Sequence, residues 1–169
     1  MFISIVHHTP VWVWGLLTAL IALGLWQTRD HELTLPRVTV LPLVLVALSA
    51  TGVLHTFGHL PIAFGSWAAG LGAALTVGRQ FIEVRSARWS APTGLLHVPG
   101  SWLPLTMIVG LFCIKYFAGA SLALHPALAH DTVFAGLCSL AYGSFSGLFA
   151  ARALSLRLLA TRSAGLSAA

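Results

Sequence analysis

The sequence predicts an all-α integral membrane bundle of five transmembrane helices, N-terminus outside and C-terminus inside, from three observations. The 169 residues are 57% hydrophobic and only 8% charged, with a mean hydropathy of +0.89, whereas a soluble domain carries roughly a quarter charged residues. Five apolar runs fall within the roughly 17 to 25 residues over which a helix can cross a hydrocarbon core of ~30 Å. The eight arginines fall only in alternate connections between those runs, which is the pattern of the positive-inside bias.

The first span runs from about residue 10 to 26, with Thr9 as N-cap and Pro10 at the first helical position. "MFISIVHHTP" holds no Lys or Arg and no small-residue cleavage site precedes Arg29, so this run reads as a retained span and not a signal peptide. The second span covers about 38–57; Pro42 is tolerated near its first turn, and Gly58 then Pro61 supply the stop. The third takes 62–78, the fourth about 102–124 after Ser101, and the fifth about 132–151. The chain is thus one transmembrane domain with a cytoplasmic connection at 79–100 and a cytoplasmic tail at 152–169.

Arginine placement sets the orientation. Arg29 and Arg37 lie in the first connection, Arg79, Arg85 and Arg88 in the third, and Arg152, Arg157 and Arg162 in the tail; the N-terminus and the second and fourth connections have none. Trp12, Trp14 and Trp67 fall near one expected boundary and Trp26, Trp89 and Trp102 near the other, as interfacial belts would. In the long third connection, "APTG" between short apolar runs suits a hairpin or an interfacial segment lying on anionic headgroups. The tail "RALSLRLLATR" reads as a helix continuing along the membrane surface. No internal repeat is visible, and five spans do not divide into the halves of an inverted-repeat transporter.

The net charge of +5 is dispersed between apolar runs, so the bilayer and not nucleic acid is the expected partner. Cys113 and Cys138 fall inside apolar runs and read as small buried hydrophobes. No nucleophile elbow, phosphate loop, HExxH or paired-carboxylate motif assigns a reaction, and no residue is nominated as catalytic.

Six of the eight histidines, His7, His8, His55, His59, His125 and His130, fall on the expected outer face. Imidazole is the commonest transition-metal ligand. His55, His59, His125 and His130 with Asp131 are therefore candidate ligands for copper or zinc, and two of these histidines from different helices would be candidates for haem. The bland alternative is a rim of polar, hydrogen-bonded helix ends. Lys115 lies 13 positions beyond Trp102, about 20 Å along a helix, in the outer half of its span. An ion pair with Asp131 that ties spans four and five together is the structural expectation, and proton or substrate handling the sharper one. Gly143 and Gly147 form a GxxxG continued by Ala151, a stripe on which helices approach closely, either within the chain or in a homo-oligomer or with a partner membrane subunit.

Through "HTPVWVWGLLTALIALGLWQTR", "LPLVLVALSATG" and "VPGSWLPLTMIVGLFCIKYF" the chain resembles an uncharacterised family of small multi-pass bacterial inner-membrane proteins, over His7 to about Ala151. That resemblance implies an inner-membrane helical bundle and brings no activity and no catalytic residues. Two functions are therefore expected in parallel. One is a structural or accessory inner-membrane protein; the other is an outer-face metal or haem binding protein with an electron-transfer or metal-handling role.

Overall fold

Helix α1 (Val11–Trp26) opens the computed structural model, which describes residues 11–81, 88–90 and 95–167. After it come β1 (His31–Thr34), α2 (Leu35–Phe57), α3 (Pro61–Phe81), β2 (Arg88–Ser90), β3 (Leu95–Val98), α4 (Leu103–Leu124), a 3-10 turn (Pro126–His130) and α5 (Thr132–Ser167). Pro36 and Pro104 sit in the first turns of α2 and α4, where a missing N–H leaves no intrahelical bond unmade. The expected start of α1 at Thr9 and Pro10, the histidines at 7 and 8, and the "APTG" turn lie outside the described residues.

Four helical stretches are long and apolar enough to cross a membrane: Val38–Phe57, Pro61–Gln80, Leu103–Leu124 and Thr132–Ser163. The apolar part of α1 is shorter, Val13–Trp26. Large apolar side chains such as Leu43, Leu48, Phe117, Val133 and Leu137 are exposed along these helices.

Helix α5 is the axis of the fold. Its most extensive contact is with α3, and α2 and α4 also rest on it, while α1 packs on α4. Small residues permit the α3–α5 contact. A methyl on Gly143 would collide with the Trp67 carbonyl, one on Gly147 would lie 2.9 Å from Ala74 Cβ, and one on Gly70 would lie 3.1 Å from the Ser144 nitrogen. The two backbones can approach this closely only because those side chains are absent. Ala151, next on the stripe, is fully buried. The core at this crossing gathers Val53, Phe57, Ala63, Trp67, Ala118, Ala135 and Cys138.

The structure corrects the sequence reading in five places. An all-α chain was expected, but β1, β3 and β2 form a three-stranded antiparallel sheet in that order, with His31 opposite Val98 and Arg88 opposite His97. The 79–100 connection thus contains a hairpin, and a strand from the first connection extends it. Alternation along β3 buries Leu96 and Val98 and exposes His97, as the period of two requires. The buried pair meets Val38 of α2 and Leu156 and Ala160 of α5 in a second core.

The helix beyond residue 151, expected to continue along the membrane surface, instead packs into that second core through Leu156 and Ala160. Helix α5 runs unbroken for 36 residues, about 54 Å at 1.5 Å per residue, and its last turns support the sheet. Trp67, expected in an interfacial belt, is instead 8% exposed, and its indole N–H donates to Ser49 Oγ of α2 at 3.1 Å. Cys113 is exposed, and only Cys138 is buried. Gly58 has right-handed helical dihedrals (φ −64°, ψ −16°), so it is not a left-handed stop; the chain turns at Gly58–Leu60, held by the Leu60 N–H to the Phe57 carbonyl at 2.8 Å, and restarts at Pro61.

Candidate functional site

Alternation of the helices places the α2–α3 turn and the 3-10 turn at the end opposite the sheet. His55 lies in the last turn of α2, His59 in the turn after it, and His125 and His130 bracket the 3-10 turn; all four are exposed. One contact joins them: the His59 and His130 rings lie 4.7 Å apart between centroids and are tilted by 55°. His125 ends α4 with its N–H donating to the Ser121 carbonyl. At about 2 Å of rise per residue, the 3-10 turn holds His125 and His130 about 10 Å apart.

Asp131 has a local task. Its Oδ1 accepts the Phe134 N–H at 2.7 Å, which caps the N-terminus of α5 and satisfies one of its free donors. Among the described residues no group of three or more His, Cys, Asp or Glu side chains converges on a point where a metal ion would sit. The five-residue set expected from spacing is therefore not assembled; only His59 and His130 meet. Their rings are too close together to seat a porphyrin between them, so the pair does not fit a bis-histidine haem.

Lys115 and Asp131 are not brought together either. The Lys115 ammonium nitrogen lies 5.5 Å from the centroid of the Tyr142 ring, in cation–π range, and 3.9 Å from where a methyl on Gly52 would sit. Tyr142 is eleven residues beyond Asp131, about 16 Å along α5. Placement in the outer half of its span predicts a pair with Asp131; the amine lies instead over the Tyr142 ring. Neither the Trp67–Ser49 bond nor the sheet-supporting end of α5 is among the expectations drawn from the sequence. Leu156 and Ala160, spaced i and i+4, were the available signal for the latter.

This fold defines a class: a helical bundle with four helices of membrane-crossing length and a small sheet at the arginine-bearing end. Within that class the chain belongs to the family described as "Family of unknown function (DUF6622)", whose model matches residues 1–166. No curated protein and no solved structure matches it.

Proposed function

We propose that the protein is a structural or accessory multi-pass membrane protein of the bacterial inner membrane, with the sheet end in the cytoplasm. The pairing of β1 with β3 carries this reading. It joins the two arginine-bearing connections at one end of the bundle, and a positive-inside chain requires those connections to share a compartment. Apolar side chains facing outward along α2, α4 and α5 suit a hydrocarbon solvent, and the internal GxxxG crossing supplies packing where the hydrophobic effect between helices is absent. Periplasmic-active reporter fusions test it. Activity is expected for fusions at residue 127 and none for fusions after Ser163; the reverse pattern, or the same result at both sites, would refute the orientation.

Transition-metal handling at the histidine end is the alternative, favoured by the His59–His130 contact alone. Two imidazoles complete half of a tetrahedral zinc site, so further ligands would come from water or another protein. Metal analysis of purified protein, with His130→Ala as control, decides it: stoichiometric zinc or copper lost in the variant supports the site, and a metal-free preparation removes it.

A further inference from the structure

Lys115 is the only lysine in the chain, and the fold places it on the bundle-facing stripe of α4. Lys115, Ala118 and Leu122 fall at i, i+3 and i+7; Ala118 is buried and Leu122 packs against the main core. Yet Lys115 itself is exposed. The reason is a groove: α2 and α4 both rest on α5 but scarcely touch each other. Across it the Lys115 nitrogen lies 5.5 Å from the Tyr142 ring centroid of α5 and 3.9 Å from where a methyl on Gly52 of α2 would sit. Gly119, one turn beyond Lys115, has open space where a side chain would be.

Depth and charge identify what fits there. Lys115 is nine residues from Leu124 and twelve from Leu103, about 13 Å and 18 Å along the helix, close to its midpoint. An ammonium at mid-bilayer depth is costly, and ionisable groups there pair with one another. Among the described residues no carboxylate lies at that level. Asp30 and Glu32 belong to the sheet end, Glu83 follows α3 by two residues in the sequence, and Asp131 caps α5. A second copy brings the same acids at the same levels. Lipid phosphates lie at the surface, about 15 Å away.

We propose that the α2–α4 groove receives a transmembrane helix of a partner protein that carries an Asp or Glu at mid-span, its carboxylate pairing with Lys115 beside Tyr142. Gly119, with open space where a side chain would be, leaves room for its backbone to approach. The proposal rests on the membrane-spanning reading above.

The test reconstitutes the full chain in phosphatidylcholine vesicles with a labelled leucine–alanine transmembrane peptide bearing one central Glu, or its Gln twin, and reads association by energy transfer. The Glu peptide should associate more tightly by roughly 3- to 30-fold, the span of interhelical polar contacts. Lys115→Met should erase that preference, Gly119→Leu should weaken association of both peptides, and Lys115→Glu should transfer the preference to a Lys peptide. Equal association of the Glu and Gln peptides with the wild-type protein, or a preference that survives Lys115→Met, overturns the proposal. So does association that follows added phosphatidylglycerol and ignores the peptide's carboxylate, which would assign Lys115 to lipid. Alkaline carbonate separates the two levels: protein stripped from the vesicles sinks the membrane reading and the docking together, whereas retained protein indifferent to the carboxylate sinks the docking alone.

Discussion

Ser139 is fully buried on α5, and among the described residues its hydroxyl has no hydrogen-bond partner. A buried hydroxyl without a partner costs roughly 1–3 kcal/mol. Ser139→Ala is therefore expected to stabilise the protein by about 1 kcal/mol, read as a higher unfolding midpoint in detergent; a lower midpoint would show that the hydroxyl is satisfied. Ser49 behaves in the opposite way, because its oxygen accepts the Trp67 indole proton between α2 and α3. At Gly143 a methyl meets a backbone carbonyl, which cannot rotate aside as a side chain does. Gly143→Ala should then cost about 1–3 kcal/mol, the range for overpacking a close contact, with thermal unfolding as the measurement. The sequence made the small-residue stripe legible, since Gly143, Gly147 and Ala151 repeat every fourth position. It did not say which helix faces them, because a GxxxG serves internal and intermolecular crossings alike.

At the scale of elements, the sheet is fastened to the bundle by a clip between the first and third connections. The Gly100 N–H donates to Asp30 Oδ1 at 2.7 Å, and the Ser101 N–H donates to the Gln27 carbonyl at 3.3 Å. A methyl on Gly100 would run into the Thr28 carbonyl. Gly100→Ala should open this clip and speed amide exchange in β1 and β3 while leaving the α3–α5 crossing protected; unchanged exchange in both strands would mean the clip is dispensable. Spans were readable as elements because a twenty-residue apolar run has few alternatives. A hairpin in the third connection was one of two readings of "APTG", and β2 pairs with β3 there; the added strand "HELT" was not legible, because it is four residues long and so short a run takes its conformation from what it packs against.

For the whole molecule, the continuous α5 links two cores. Its first half holds α2, α3 and α4 together, and its second half, through Leu156 and Ala160, covers Leu96 and Val98 of the sheet. Ending the chain after Ala151 should expose that sheet face; burial of one Leu side chain alone is worth about 1.5–3 kcal/mol. The 79–100 connection should then become protease-sensitive, whereas a tail merely resting on the membrane surface could be removed without that effect. The histidine end shows the limit in the other direction. Four imidazoles and a carboxylate shared one end by alternation, but whether ligands converge depends on side-chain directions a few ångströms apart, and only His59 and His130 came together.

The sequence by itself determined the helical class, the apolar runs long enough for a bilayer, and the gathering of arginines into alternate connections, because hydropathy and charge are summed along the chain and need no partner. Tertiary structure alone decided that α3 is what the glycine stripe of α5 faces, that two connections close into a sheet under the end of α5, and that Lys115 lies over Tyr142 and not beside Asp131. Those features depend on how each helix is rotated and how far it slides against its neighbours. Periodicity names a face, but only packing fixes what that face meets.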